Sequence, residues 1–186
     1  KLTALVQALV KLRDTEPQVK SVVFSQFTGM LDLVEIVLGR AGICHARLDG
    51  SMSQVAREKV LRQFNTRPVK ASPATAEHGA SANALSVLLV SLRAGGTGLN
   101  LTAASQVFLL DPWWNWSVEE QAIDRVHRIG QTRPVQVTRF VVRDTVEERM
   151  LEIQQRKIAL CGGSLAVLDG DARKQQRIEE LKLLFR

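Results

Sequence analysis

Two hydrophobic periods alternate along this 186-residue chain. Leu2, Leu5, Val6, Leu9 and Leu12 recur at helical spacing, so the chain opens in a helix. The β-branched pair Val22 and Val23 centres a strand at residues 20–24. Thr28 and Gly29 turn the chain into a helix carrying Leu31, Val34 and Leu38, which Gly42 ends. Residues 43–48 read as a second strand, closed by Asp49 and Gly50. Ser51 or Ser53 caps the next helix, which runs to Phe64. Residues 66–84 then break the rhythm: Pro68 and Pro73 stand among Ala, Ser and Thr, as in an exposed, mobile insertion.

The rhythm resumes at residues 85–91, a continuous apolar run suited to a strand buried on both faces. A glycine loop follows at residues 94–98, then a strand at 106–110, a helix at 117–129 and a strand at 135–142. Thr145 and Glu148 have the spacing of a capping box for a helix over residues 145–160, which Gly162 and Gly163 end. A last amphipathic helix, about 172–185, carries Ile178, Leu181, Leu184 and Phe185. Strands alternating with helices imply an α/β fold, a parallel sheet flanked by helices, with a C-terminal helical extension. Ligands of such sheets sit at the carboxyl ends of the strands, which singles out the loops at 25–29, 49–53, 93–100 and 111–116.

Composition narrows the class. A 45% hydrophobic share supports a core, and a net charge of +6 favours an acidic partner such as nucleic acid, although a basic solvated surface has the same composition. Cys44 and Cys161 lie far apart and outside any CxxC pair, so neither a disulfide framework nor a metal site is expected; both read as reduced thiols of an intracellular protein. No apolar run approaches the roughly 20 residues of a membrane span, so no membrane partner is expected. The chain opens inside a helix and reads as a piece of a longer protein.

Three segments carry candidate chemistry. In the helix predicted at 117–129, Ser117 and Glu120 have capping-box spacing, and Gln121, Arg125 and Arg128 fall on one face at i, i+4 and i+7. Ala122, Val126 and Ile129 form the neighbouring apolar stripe. Two guanidinium forks on a rigid helix suit phosphate oxygens, and a solvated face paired with Glu120 or Asp124 is the alternative. The loop around Gly95, Gly96, Thr97 and Gly98 lets backbone amides approach an anion or a sugar. It is neither a Walker A loop nor a dinucleotide fingerprint, and a tight structural turn explains it equally well. Trp113, Trp114 and Trp116 after the fourth strand could pack on the adjacent helix, stack on bases or dock a partner; packing is the simplest reading.

These segments together resemble a known family. SLRAGGTGLNLT at 91–102 is similar to motif V of superfamily-two helicases, and QAIDRVHRIGQ at 121–131 to motif VI in its SWI/SNF-type form. VVFSQF at 22–27 resembles motif IV, and RLDGSM at 47–52 the segment after it. Order and spacing match along the whole chain, and residues 177–185 resemble the branch of the helicase-like transcription factor and its fungal and plant post-replication-repair relatives. Asp124 and the tail Ile129-Gly130-Gln131 separate the chain from RNA helicases.

The resemblance implies a RecA-like C-terminal lobe over residues 1–142 and brace helices over 143–186. It implies the second lobe of an ATP-driven double-stranded-DNA translocase, with ATP held between this lobe and an N-terminal RecA-like lobe. Arg125 and Arg128 match the arginine fingers, and Gln121 the residue coupling nucleotide to fingers. Gly96, Gly98 and Asn100 fall in the loop facing the nucleotide, and Arg93 and Thr97 in its DNA-facing part, with Arg93 where the family often has Lys. Ser25, Gln26, Asp49, Gly50 and Ser51 match positions gripping one strand's backbone. ATP and Mg2+ are the implied cofactors, with the Walker Lys and the Mg2+ ligands in the first lobe; a RING ubiquitin-ligase module in the parent and a nuclear location are implied by the branch. Trp116 departs from the family's proline at that place, and the 66–84 insertion is longer than the family's. A non-catalytic binding module derived from a helicase lobe is the competing reading; an upstream Walker Lys in the parent separates the two.

Overall fold

The computed structural model describes residues 1–66, 85–94, 98–163 and 178. Five parallel strands form one sheet in the order β2-β3-β1-β4-β5. They are β1 (Ser21–Ser25), β2 (His45–Leu48), β3 (Val87–Ser91), β4 (Gln106–Leu109) and β5 (Gln136–Arg139). The helices are α1 (Leu2–Thr15), α2 (Thr28–Arg40), α3 (Gln54–Asn65), α4 (Trp116–Ile123) and α5 (Val146–Gly163). The insertion reading for 66–84 concerns residues that, Thr66 apart, lie outside the described ones, as does the helix expected at 172–185, apart from Ile178.

Every residue of β1, β3 and β4 is buried, which explains their unbroken apolar runs. Register sorts their side chains into two cores. Ala46, Leu88, Val22, Val107 and Val137 form one row across all five strands. That row faces α3 and α4 through Phe64, Val60, Val118 and Ala122. Leu89, Val23 and Phe108 form the next row and face α1 and α2 through Leu5, Leu9, Leu31, Val34 and Leu38. The two-residue period of a strand thus divides one apolar run between opposite layers.

The outer strands are shorter than the sequence pattern predicts. The strand expected at 43–48 begins at His45, because Cys44 offers its carbonyl to Ser86 and Val87 before β2 is in register. The strand expected at 135–142 spans Gln136–Arg139; Phe140 still donates to Leu109, after which no partner strand lies beside it. Ser53 rather than Ser51 caps α3, accepting from the Ala56 N–H at 3.3 Å. At α5 the expected box is displaced: Thr145 Oγ1 accepts from the Glu147 N–H, and the Glu148 carboxylate accepts from the Asp144 N–H.

Two lysines fasten the layers. Lys20 is buried below β1 and donates to the carbonyls of Phe64 and Thr66 at 2.5 and 2.8 Å, a cation at the C-terminal end of α3. Burial lowers its pKa. Lys1 donates to the Leu110 carbonyl at 2.7 Å and pairs with Glu147 at 2.5 Å, tying α1, the end of β4 and the start of α5.

Leu89 lies at the sheet centre with no exposed surface. Leu89→Ala is expected to cost about 2–5 kcal/mol, through lost burial and a residual cavity, read as a lower midpoint in urea denaturation with an unchanged slope.

Candidate functional site

The carboxyl ends of β1, β3 and β4 converge on one edge of the sheet, where the chain leaves β1 toward β2 on one side and β4 toward β5 on the other. A cleft of about 310 Å³ opens there, lined by Gln26, Leu92, Arg93, Trp113, Gln121 and Ala122. Gln26, Arg93 and Gln121, far apart in sequence, therefore share one wall.

Two buried carboxylates build this edge. Asp111 follows β4; its carboxylate accepts from the Ser25 hydroxyl at 2.9 Å and the Gln26 N–H at 2.6 Å. It ties the end of β4 to the turn after β1. Burial raises its pKa, against these hydrogen bonds and the charge of Lys1, which lower it. Glu119 in α4 has no exposed surface, and one oxygen accepts from the Trp113 N–H at 2.7 Å and from Gln154 of α5 at 2.8 Å. Its other oxygen accepts from Arg139 of β5 at 3.1 Å, and Gln154 also donates to the Trp113 carbonyl. The loop at 111–115 is thus held by α4, β5 and α5 at once. Neither acid stood out in the sequence; the signal for Asp111 was its place at a strand end before Pro112.

Helix α4 corrects three expectations. Its cap is Asn115, whose side chain accepts from the Ser117 N–H at 3.2 Å; Ser117 donates its hydroxyl to Asn115, and Glu120 turns to Arg139. Trp116 occupies the first helical position, where proline is favoured, so its place in the helix start is kept. The helix ends at Ile123 instead of residue 129. Arg125 and Val126 donate to carbonyls three residues back, and the Arg125 carbonyl is taken by the Leu101 N–H at 2.9 Å. A tertiary partner captures the bond that would have continued the helix. Gln121 is therefore on α4, while Arg125 and Arg128 lie in the turn after it, and the single helical face of Gln121, Arg125 and Arg128 does not form. Ile129, expected on the apolar stripe with Ala122 and Val126, is fully exposed.

The turn still brings the arginines to the loop at 98–104. Arg128 is exposed, and its Nη1 donates to the Leu99 carbonyl at 3.3 Å. Arg125 is half-buried beside it in the chain. Gly98 has φ +36°, a conformation that favours glycine. The Asn100 side chain is turned onto its own loop, accepting from the N–H and hydroxyl of Thr102. Gly96 and Thr97 lie outside the described residues.

At the end of β2, Asp49 accepts from the Ser51 N–H at 2.9 Å and hydroxyl at 2.5 Å, and from Arg47 at 2.7 Å. The Ser51 hydroxyl, foremost, holds its pKa below the ordinary carboxylate range, with further help from Arg47. Arg47 is itself held by Asp32 and Glu35 of α2. Gly50 and Ser51 are exposed, whereas Ser25 and Asp49 are buried with their side chains committed inward. The Ser25 and Asp49 side chains thus hold the turns at 25–27 and 49–51.

Residues 1–130 match the family described as helicase conserved C-terminal domain. The chain belongs to that family. As a helicase C-terminal lobe it is 50% identical over its full length to DNA repair protein RAD5 of Gibberella zeae and to RAD5B of Arabidopsis thaliana, and 47% identical to rad8 of Schizosaccharomyces pombe. It spans only 15%, 13% and 14% of those proteins' lengths. The lobe's fold is similar to that of the C-terminal part of the Fun30 ATPase domain, with a TM-score of 0.70 and 27% identity, over 98% of this chain and 50% of that one. The sheet is thus the RecA-like sheet of a helicase C-terminal lobe, in a chain whose relatives are SNF2-family DNA repair proteins.

Glu119→Ala leaves Gln154, Arg139 and the Trp113 N–H without their shared acceptor, and is expected to destabilise the lobe by about 3 kcal/mol in thermal or urea unfolding. A depressed folded-state pKa contributes stability above the unfolded value and loses it as pH falls through the folded one. The stability gap between the native lobe and Asp49→Asn is therefore expected to be widest at neutral pH and to close on acidification through and below the ordinary carboxylate range, measured by unfolding across pH.

Proposed function

We propose that this lobe is the second half of an ATP-driven double-stranded-DNA translocase of the DNA-repair or chromatin-remodelling type. The observation that carries the reading is the bonding of the turn bearing Arg125 and Arg128 to the loop at 98–104, through the Leu101 N–H to the Arg125 carbonyl and Arg128 Nη1 to the Leu99 carbonyl, together with Gln121 in the cleft at the carboxyl edge of the sheet, where ligands of parallel sheets bind. ATP lies between this lobe and an N-terminal RecA-like lobe of the same protein. Arg125 and Arg128 are the fingers that stabilise charge on the γ-phosphoryl group, and Gln121 relays nucleotide state to them. Gly98 and Asn100, with Gly96, shape the loop beside the nucleotide.

The donor set fits a triphosphate: an exposed guanidinium at Arg128, a half-buried one at Arg125 and a side-chain amide at Gln121. Mg2+, when bound, neutralises phosphate charge. No group of three acidic, His or Cys ligands stands together among the described residues, and the reading places the Mg2+ ligands in the first lobe. Gln26, Gly50, Ser51 and Arg93, with Thr97, meet the backbone of duplex DNA, which makes tracking independent of sequence. Ser25 and Asp49 position those turns from beneath. Residues 1–142 form the lobe proper and residues 143–186 its brace, supported by Ile153 and Gln154 of α5 packing inward. A nuclear location and a RING module in the parent belong to the same reading, since the relatives are named as DNA repair proteins.

The test joins this lobe to its native first lobe and measures ATP hydrolysis with and without duplex DNA. DNA-stimulated hydrolysis is expected, falling by about 10³-fold in Arg128→Ala, while the isolated lobe turns over negligibly. Equal rates with and without the Arg128 guanidinium would make Arg128 structural and sink the finger assignment.

A further inference from the structure

The early end of α4 leaves a mechanical question. A finger works only if its guanidinium is held where charge develops, yet Arg125 and Arg128 have no helix beneath them. Their turn, residues 124–131, must be held by something else.

The Leu101 N–H donates to the Arg125 carbonyl at 2.9 Å, the single main-chain bond between the turn and the neighbouring loop among the described residues. Gly130, at φ +99°, reverses the chain so that the Gln131 N–H can donate back to the Arg128 carbonyl at 2.9 Å. The Gln131 side chain then reaches under the turn. Its Nε2 lies 2.7 Å from the Ala104 carbonyl, 3.1 Å from that of Val126 and 3.3 Å from that of Thr102. Two of these acceptors belong to the loop at 98–104 and one to the turn itself. The other end of the amide, Oε1, accepts from the Arg133 N–H at 3.0 Å, so both ends of the side chain are engaged. One side-chain amide thus bridges the segment carrying both arginines and the loop beside them.

We propose that Gln131 is a positioning residue for Arg125 and Arg128, clamping their turn onto the loop at 98–104. This rests on the reading of the two arginines as fingers. The chemistry of the site selects an amide. Three carbonyl oxygens converge on one nitrogen, so the group must donate; a carboxylate of the same size would meet them with like partial charge. The same amide must also accept from Arg133, which a lysine could not do. The clamp explains why a polar residue follows the exposed Ile129 and the reversed Gly130: those two carry the chain around so that Gln131 can return beneath the arginines. A misplacement of about 1 Å in a positioned catalytic group can reduce turnover by about 10²-fold.

The test uses the full-length parent protein at saturating duplex DNA. It compares kcat and the KM for ATP in the native protein, Gln131→Glu, Gln131→Ala and Arg128→Ala. Amide hydrogen exchange is followed at Leu101, whose N–H joins loop to turn, and at Val23 in the central strand. The expected result is a fall in kcat of at least about tenfold in both Gln131 variants, with KM for ATP within about threefold. Exchange at Leu101 quickens while exchange at Val23 stays native. Native kcat in both Gln131 variants beside an inactive Arg128→Ala overturns the clamp and leaves the fingers standing. Equal acceleration at Leu101 and Val23 also overturns it, since Gln131 would then support the whole fold rather than the turn. Native kcat in Arg128→Ala removes the finger reading, and with it the clamp's purpose.

Discussion

The three central strands have no face open to water, and this constraint orders the rest of the structure. β1, β3 and β4 are buried at every position, so each must be covered by helices above and below. Covered on both faces and flanked by β2 and β5, they can reach solvent only at their ends. Parallel strands send all their carboxyl ends the same way. The polar residues that follow β1, β3 and β4 are therefore gathered at one edge by the geometry of the sheet, and Gln26, Arg93 and Gln121 meet there from three separate parts of the chain.

Gathering loops is not the same as fixing them, and buried acids do the fixing. Asp111 accepts from Ser25 and Gln26; Glu119 accepts from Trp113, Gln154 and Arg139; Asp49 accepts from Ser51 and Arg47. Each is a carboxylate at the rim of the sheet whose oxygens satisfy backbone or side-chain donors, of distant segments for Asp111 and Glu119 and of its own turn for Asp49. Buried polar groups are retained where their partners are complete, because an unsatisfied one is costly. The cost of burying them is reflected in the raised pKa of Asp111 and offset in the lowered pKa of Asp49. Through Glu119 and Gln154, α5, which lies beyond the matched family segment, bears directly on the loop that carries Trp113.

Much of this was legible in the residue pattern. The two-residue and helical periods located all five strands and all five described helices, and the strand-end loops singled out the edge where the cleft lined by Gln26, Arg93 and Gln121 opens. Motif strings along the chain carried the family. The pattern failed where a carbonyl or a carboxylate found a partner far away in sequence, and where a nearer side chain took the cap. Ser117 and Glu120 have the spacing of a capping box, yet Asn115 and Arg139 take their places. Ile129 continues a helical stripe on paper, yet stands wholly exposed.

The sequence by itself determined the order of elements, the burial of the central strands and the set of residues at the carboxyl edge, since these follow from local periodicity and from the obligation to pair every buried backbone group. Only the tertiary structure decided where α4 stops and therefore how Arg125 and Arg128 are held. The physical reason is a competition for one acceptor: the Arg125 carbonyl can serve a helix or the Leu101 N–H, and Leu101 is brought within reach only when β3 and β4 have already placed their loops side by side. No window of local sequence contains that neighbour, and so none could reveal that a glutamine, rather than a helix, supports the turn.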